Sequence, residues 1–398
     1  MRILHTSDWH LGARLGSQDR LDDTFARLQE LCDYIDREQV DLLLVAGDVF
    51  DEHRAEALAR IVGRLGKLLT PRIEAGLTCV FVAGNHDREH VFPLLSGLQE
   101  LVAPDHEQRV VFADRPRMLP VTSRSGEAAQ LMLLPYPTPI RYALADQRWP
   151  SPEEKRKTLA AAVRASIQEL GRDATKGVPV VLCGHFLVRG VKEGMYQLSE
   201  QEDVPVEPSD LPSYAYIALG HIHKPQQVGA HYIRYCGSLD RMDRGEARDA
   251  KQALLVELSK TGLRDIRELP LNATPFRHIE ASSEEELERA AESMSEPERT
   301  LVSLTLKLRR EQRLSPLLAR ARQLFPRLYA PPDIRWQDAR SPERAQFAHD
   351  RRDVRGTVRS YLQQTLTDDK EAGALVALAE ELLAEVDASS ERAEAPTA

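Results

Sequence analysis

One local pattern recurs along the first 240 residues: a short apolar run, then a turn carrying side chains that can bind a metal ion. The apolar runs lie at residues 3–4, 42–45, 80–82 and 180–182 and predict buried strands. The polar segments are Asp8-Trp9-His10, Gly47-Asp48, Gly84-Asn85-His86-Asp87, Gly184-His185, Gly220-His221-Ile222-His223 and Gly237-Ser238. Glycine beside most of them permits tight turns and close backbone approach. We therefore expect the strand ends of one sheet to gather these side chains around one pocket.

The chemistry of these side chains predicts two metal ions. The candidate ligands are two aspartates, one asparagine and four histidines: Asp8, His10, Asp48, Asn85, His185, His221 and His223. This set exceeds the three or four ligands that one catalytic zinc takes. Imidazole and carboxylate donors without a thiolate favour manganese, iron or zinc, with manganese as the first choice. Two such ions about 3.5–4 Å apart are suited to phosphoester hydrolysis.

Each segment alone also has a simpler interpretation. Asp8 can be a helix N-cap, Asn85 a turn residue and His185 a core histidine. These separate interpretations do not explain why glycine-flanked polar clusters repeatedly follow apolar runs. On an extended strand His221 and His223 would face opposite ways, so a shared site requires the chain to bend after Gly220.

The segments resemble the calcineurin-like metallophosphoesterase superfamily, whose pattern is D-x-H, G-D, G-N-H-D, G-H and G-H-x-H. Within it, residues 4–12, 220–225 and 235–238 resemble the bacterial SbcD family. These proteins are nuclease subunits related to the archaeal and eukaryotic double-strand-break repair nuclease. The resemblance covers about the first two-thirds of the chain by motif and the remainder more weakly, by length and layout.

The resemblance implies roles for individual residues. One ion would be held by Asp8, His10, Asp48 and His223, and the other by Asp48, Asn85, His185 and His221, with Asp48 bridging. His86 matches the catalytic histidine that contacts the scissile phosphate and helps to protonate the leaving 3′ oxygen. Asp87 matches a carboxylate that orients this histidine through its other ring nitrogen. Asp87 can equally close the turn as an Asx residue, and the two roles are compatible.

One position departs from part of the family. Asp51 stands where archaeal and eukaryotic relatives carry a histidine implicated in catalysis, whereas bacterial members commonly have aspartate there. The neighbouring His53 is more simply an exposed loop histidine, so neither residue is assigned to the site. The protein serine/threonine phosphatases have arginine shortly after the G-D motif, and Asp51-Glu52-His53 argues against that branch.

Composition bounds the class of protein. A length of 398 residues with 42% apolar and 29% charged residues is ordinary for a soluble globular protein of two or three domains. No apolar run approaches the ~18 residues of a membrane span, and the first residues turn polar too early for a signal peptide. We expect a cytoplasmic protein that associates with the nucleoid when on DNA. The cysteines are Cys32, Cys79, Cys183 and Cys236, and their scattered positions predict reduced core residues.

The net charge of −9 lowers the expectation of strong DNA binding by this chain alone, because affinity for DNA depends largely on Lys and Arg. Basic clusters occur at Lys307-Arg309-Arg310-Arg313, at Arg320 and Arg322, and at Arg351-Arg352-Arg355-Arg359. Such clusters more often lie on a solvent-exposed helix face than in a DNA-binding site. Strong DNA binding is therefore expected to need a partner.

Periodicity divides the chain into four parts. Residues 1–270 alternate strand-like runs with amphipathic helices and predict a layered α/β domain. The resemblance implies that this is the nuclease domain, a metallophosphoesterase β-sandwich flanked by helices. Residues 271–340 predict a small α+β capping domain, with strands at 276–281, 301–308 and 333–336 and helices after Ser283 and Ser315. Residues 341–387 predict C-terminal helices; the resemblance implies docking on an SbcC-like ATPase, whereas the pattern equally allows an intramolecular hairpin. Residues 388–398 predict a disordered tail.

The resulting hypothesis is a two-metal DNA nuclease. The resemblance implies that an SbcC-like SMC-type ATPase supplies ATP hydrolysis, and this chain has no Walker A sequence of its own. The resemblance further implies 3′–5′ exonuclease action on double-stranded DNA, endonuclease action on single strands and hairpins, and a homodimer. Roles in DNA repair, recombination and replication follow from the same resemblance. Two alternatives are a stand-alone phosphodiesterase acting on small esters and an inactive scaffold subunit. Retention of every ligand position argues against the scaffold.

Overall fold

The computed structural model describes residues 1–102, 109–191, 203–309 and 312–337. Residues Met1–Arg335 form one compact unit, and a second unit begins at Trp336. The predicted helices at 341–387 and the predicted tail at 388–398 lie outside the described residues.

Within the described residues, the strands alternate with helices through most of the first unit. In chain order the strands are β1 (Arg2–Thr6), β2 (Arg14–Leu15), β3 (Gln18–Asp19), β4 (Leu42–Val45), β5 (Thr78–Val82), β6 (Val110–Ala113), β7 (Arg117–Thr122), β8 (Ala128–Leu134), β9 (Val180–His185), β10 (Tyr216–Gly220), β11 (Gln226–Val228), β12 (Ala230–Tyr235), β13 (Lys251–Ser259), β14 (Gly262–Leu271), β15 (Phe276–Ala281), β16 (Leu301–Leu308) and β17 (Asp333–Trp336). The helices are α1 (Leu21–Glu38), α2 (Ala55–Glu74), α3 (Val91–Val102), α4 (Pro152–Arg172), α5 (Glu284–Glu292) and α6 (Leu314–Leu324).

Two six-stranded sheets form the centre of the unit. The first has the order β14-β13-β1-β4-β5-β6 and the second the order β11-β12-β10-β9-β8-β7. In the first sheet β1, β4, β5 and β6 are parallel. In the second, β8, β9, β10 and β12 are parallel. Because parallel strands end at the same edge of a sheet, the segments that follow β1, β4 and β5 share one edge, and those that follow β9 and β10 share another.

The apolar side chains of the strands divide into separate layers. The core between the sheets includes Ile3, Leu44 and Val80 from the first sheet and Leu131, Val181 and Ala218 from the second. Helices α1 and α2 cover the outer face of the first sheet, and the α1 stripe of Phe25, Leu28, Cys32 and Ile35 is buried there. Helix α4 covers the outer face of the second through Val163 and Ile167. The predicted layered α/β architecture is therefore confirmed.

The later part of the unit has a three-stranded sheet of order β15-β16-β17 with α5 and α6. Its own core includes Ile279, Leu287, Leu304, Leu317 and Phe325. The predicted strands at 276–281 and 301–308 are confirmed, and α5 begins after Ser283, which caps it by accepting a hydrogen bond from Glu286 N. The domain boundary at residue 270 stays a prediction. None of the helices in the described part of the chain has the length and apolar character that a membrane crossing requires.

Candidate metal centre

The predicted site residues lie at the carboxyl ends of strands from both sheets, so the expectation of a single sheet is wrong. Strands β1, β4 and β5 are parallel in the first sheet, and β9 and β10 are parallel in the second. Asp8 and His10 follow β1, Asp48 follows β4, Asn85 and His86 follow β5, and His185 is the last residue of β9. Strand β10 ends at Gly220, so His221 and His223 belong to the turn beyond it. The bend that a shared site requires is therefore present.

The backbone is strained at four of the predicted ligands. Positive φ angles occur at Asp8 (50°), His10 (46°), Asp48 (51°) and His221 (93°). Within the described residues only two other non-glycine residues, Gln39 and Ala143, share this conformation. Such backbone costs of order 1–3 kcal/mol per residue and persists where the surrounding structure imposes it, commonly at functional sites.

Two glycines let the backbone segments approach closely. A Cβ at position 220 would collide with the carbonyl oxygen of Ala46, which lies beyond β4 in the other sheet. A Cβ at position 84 would collide with Asp48. The recurring glycines therefore serve the convergence of segments from both sheets.

One cluster contains Asp8, His10, Asp48 and His223. The Nε2 atoms of His10 and His223 are 3.2 Å apart. Nε2 of His223 lies 3.9 Å from Asp8 Oδ1, and Nε2 of His10 lies 3.8 Å from Asp48 Oδ2. Asp8, His10 and Asp48 are buried, and one ligand atom from each of Asp8, His10 and His223 fits within 4.8 Å of the others.

A second cluster shares Asp48 with the first. Nε2 of His185 lies 3.3 Å from Asp48 Oδ2 and 3.0 Å from Asn85 Oδ1. The same Asn85 oxygen lies 3.0 Å from His221 Nδ1. His185 and His221 are buried, whereas Asn85 is exposed.

The hydrogen bonds behind the histidines indicate which ring atoms are free to bind a cation. Nδ1 of His185 lies 2.7 Å from the carbonyl oxygen of Ala46, and Nε2 of His221 lies 2.9 Å from Asp203 Oδ1. Both nitrogens must therefore carry hydrogen, which leaves His185 Nε2 and His221 Nδ1 as acceptors in the neutral rings. These acceptors converge with oxygens of Asn85 and Asp48. A cluster of lone pairs facing one another suits a divalent cation, so the residues present fit the predicted ion.

Burial and the neighbouring charges shift the pKa values of residues in both clusters. Although burial alone lowers the pKa of His185, the Asp48 carboxylate raises it to about 9, so a cation that binds Nε2 would displace a proton from that nitrogen. Burial lowers the pKa of His10 to about 4, against the opposing influence of Asp48. The pKa of Asp48 is well below its ordinary value because, although burial raises it, His185 and His10 stabilise the carboxylate. Asp48 is therefore available as an anion across the neutral pH range.

His86 lies beside both clusters, and Asp51 supports it. Nδ1 of His86 lies 3.0 Å from Asp51 Oδ1, and the backbone N–H of His86 donates to Asp48 Oδ1 at 2.7 Å. The hydrogen bond to Asp51 raises the pKa of His86 to about 9. The His86 ring contacts the His10 ring edge-on, with centroids 4.6 Å apart. His86 is thus a protonated, half-exposed imidazole next to the candidate ligands.

The prediction that Asp87 orients His86 is wrong. The Asp87 carboxylate accepts hydrogen bonds from the backbone N–H groups of Val49, Phe50 and Gly84. Asp87 therefore closes its own turn, in agreement with the alternative Asx interpretation. Its carboxylate also connects that turn to the backbone after the Gly47-Asp48 segment. Burial and the Asp48 charge raise the pKa of Asp87 to about 6.

Three residues of the site were not assigned from the sequence. Asp51 contacts His86, Asp203 contacts His221, and Glu246 Oε1 lies 2.7 Å from His223 Nδ1. Asp51 lies three residues after Asp48 in the sequence, but the sequence alone did not assign it a role. Asp203 and Glu246 stand 18 and 23 residues from their histidines, and no local signal marks them.

Comparisons with known proteins identify the family. The model of the calcineurin-like phosphoesterase family matches residues 1–225. The chain is 31% identical over 287 residues to the SbcD subunit of the SbcCD nuclease from Escherichia coli K12, covering 69% of each protein. It is 31% identical to the Rhodobacter capsulatus protein of that name, covering 60% of this chain and 62% of the relative. The Bacillus subtilis protein is 28% identical, with 65% and 66% covered. The chain therefore belongs to the calcineurin-like phosphoesterase family and, within it, to the SbcD nuclease subunits.

Proposed function

We propose that this chain hydrolyses phosphodiester bonds in DNA with two divalent metal ions, Mn²⁺ first among them, as the nuclease subunit of an SbcCD-type complex. The observation that carries the proposal is the convergence of the seven predicted ligands, Asp8, His10, Asp48, Asn85, His185, His221 and His223, beside the protonated His86. When bound, the ions would polarise the phosphoryl group and lower the pKa of a water molecule.

The chain's own residues would supply orientation and a proton. Asp48 lies between the two clusters and would bridge them. Asp51 holds Nδ1 of His86, so Nε2 is the nitrogen that would face the substrate. Because the pKa of His86 is raised to about 9, this ring carries a proton at neutral pH and would deliver it to the leaving 3′ oxygen.

The proposal extends to the complex in which the chain works. We expect digestion of double-stranded ends from 3′ to 5′ and endonuclease action on hairpins and single strands. ATP hydrolysis would come from an SbcC-like SMC-type ATPase that binds residues 341–387. We also expect a cap formed by residues 271–340 and action on nucleoid DNA in the cytoplasm, in repair, recombination and replication.

Two surface features support the proposed assembly. Leu94 and Leu98 on α3 are 59% and 52% exposed, as expected if this helix face is covered in a homodimer. In the part of the first unit with the three-stranded sheet, Lys307 pairs with Glu280, and Arg320 pairs with Glu284 and Glu288. Because these cations are already neutralised, DNA affinity is expected to depend strongly on the ATPase partner.

The experiment that tests the function is release of end label from linear duplex DNA by the purified chain with Mn²⁺. A His221→Ala variant and a small nitrophenyl phosphodiester are assayed in parallel. We expect DNA cleavage that the variant loses. Cleavage of the small ester alone, even with the ATPase partner added, would contradict a nuclease, and no cleavage of either substrate would favour a scaffold.

The Asp51–His86 contact predicts a change in pH dependence. Activity that needs protonated His86 falls as the pH rises through the pKa of this group. Asp51→Asn keeps a hydrogen-bond acceptor but removes the charge, so the pKa of His86 should fall and the alkaline decline should move about 1–3 pH units lower. Measurement of kcat against pH for both proteins checks this. An unchanged alkaline limb would show that Asp51 does not set the protonation of His86.

A further inference from the structure

A buried charged pair lies behind His223. Nδ1 of His223 lies 2.7 Å from Glu246 Oε1, and the other carboxylate oxygen of Glu246 accepts from Lys251 Nζ at 2.6 Å. Glu246 is 7% exposed and Lys251 is 2% exposed. Taking these charges out of water is costly unless hydrogen bonds compensate, so their position calls for an explanation.

Lys251 fixes the backbone of His223 as well as its ring. Its ammonium group donates to the carbonyl oxygen of His223 at 2.8 Å and to Ser238 Oγ at 2.7 Å, besides Glu246. All three donors of the ammonium group are therefore used. The pair leaves the ring one orientation, with Nδ1 carrying the hydrogen and Nε2 directed toward His10 and Asp8.

In the second cluster, Asp203 fixes the orientation of the His221 ring. It is 7% exposed, and its Oδ1 lies 2.9 Å from His221 Nε2. This contact leaves His221 Nδ1 facing Asn85 Oδ1 at 3.0 Å. The two neighbouring histidines differ: His185 is held by the backbone carbonyl of Ala46, and Nδ1 of His10 has no hydrogen-bond partner among the described residues.

We infer that each proposed metal site has its own positioning carboxylate: Glu246, with Lys251, holds His223 for one ion, and Asp203 holds His221 for the other. Both carboxylates lie outside the recurring motif, and Glu246 and Lys251 lie outside residues 1–225 that match the family model. Each carboxylate fixes a histidine tautomer and raises the basicity of the ring that would bind metal. This inference rests on the proposed two-metal function.

The test is Mn²⁺ binding to the chelator-treated full chain, measured by titration calorimetry. The wild-type protein is expected to bind two ions. Glu246→Gln and Asp203→Asn should each weaken one of the two ions about 10–100-fold and leave the other unchanged. Glu280→Gln, which breaks an exposed Glu–Lys pair of the three-stranded sheet, is the matched control and should bind both ions normally.

A second background identifies which ion is affected. In a His221→Ala protein, the site that includes His223 should remain. Glu246→Gln should weaken this remaining ion, whereas Asp203→Asn should have no further effect. Because Glu246→Gln leaves Lys251 buried without its carboxylate, the Glu246→Gln, Lys251→Met double variant is measured beside it. Both proteins should weaken the ion that His223 would bind.

The outcomes separate the inference from the function. Two normal ions in both the Glu246 and Asp203 variants, or equal weakening of both ions by either variant, would overturn the inference while leaving the two-metal function intact. A wild-type protein that binds no Mn²⁺ would instead overturn the proposed function. Selective loss with an unchanged unfolding temperature would support positioning of the histidines.

Discussion

Replacement of His86 by alanine is expected to lower kcat for DNA cleavage by about 10²–10⁴-fold while two Mn²⁺ ions still bind. The His86 side chain is 44% exposed and touches the candidate ligands from one side, so its removal leaves no buried cavity. Its backbone N–H, which donates to Asp48 Oδ1 at 2.7 Å, is retained in the variant. The loss should therefore fall on proton transfer and not on metal binding.

Single-turnover cleavage of end-labelled duplex DNA, with Mn²⁺ titration of the same preparation, measures the two effects separately. His53→Ala is the matched control, because His53 is an exposed histidine of the loop that follows Asp51. It should cleave at the wild-type rate. Cleavage by His86→Ala at the wild-type rate would remove His86 from the mechanism, and a parallel loss of metal would give it a structural role at the site.

The candidate ligands could be predicted because each is signalled locally. Asp8, Asp48 and Asn85 directly follow apolar runs, and those runs form parallel strands of one sheet. Parallel strands bring their carboxyl ends to one edge, so the order along the chain predicts proximity in space. The layered fold follows from the same periodicity, but the division of the ligands between two sheets was not predicted.

The groups behind the ligands could not be predicted in this way. Glu246 reaches His223 because a 3-10 turn at Arg244–Glu246 folds against the end of β10, a contact between segments 23 residues apart. Nothing in the spacing of the two residues indicates this. The wrong role for Asp87 has the same origin: whether its carboxylate faces His86 or the backbone of Val49 depends on how two turns pack.

Backbone strain at the ligands is a further feature that the sequence did not reveal. Asp8, His10, Asp48 and His221 have positive φ angles although none is glycine. Aspartate, asparagine and histidine adopt this conformation more often than most residues, but it is uncommon for any residue other than glycine. The strain places side chains of neighbouring turns toward one point, and it is imposed by contacts such as the hydrogen bond from Asp8 N to the Gly47 carbonyl at 2.9 Å.

Replacement of Asp48 by asparagine is expected to have the largest effect on metal binding, with loss of both ions. Asp48 Oδ2 lies 3.3 Å from His185 Nε2 and 3.8 Å from His10 Nε2, so it is the carboxylate common to the two clusters. An amide cannot supply the negative charge that would offset two divalent cations. Since metal ions contribute several kcal/mol of transition-state stabilisation, cleavage should fall by at least about 10³-fold.

Thermal unfolding with and without Mn²⁺ distinguishes loss of the ions from loss of the fold. An ion that binds only the folded chain stabilises it by about 2.7 kcal/mol at 100 times its Kd. The wild-type protein and the control Asp22→Asn, whose carboxylate is exposed, should show this stabilisation. Asp48→Asn should unfold near the temperature of the chelator-treated wild type, with or without Mn²⁺. If one ion still stabilises Asp48→Asn, then Asp48 belongs to a single site, and the two clusters bind their ions independently.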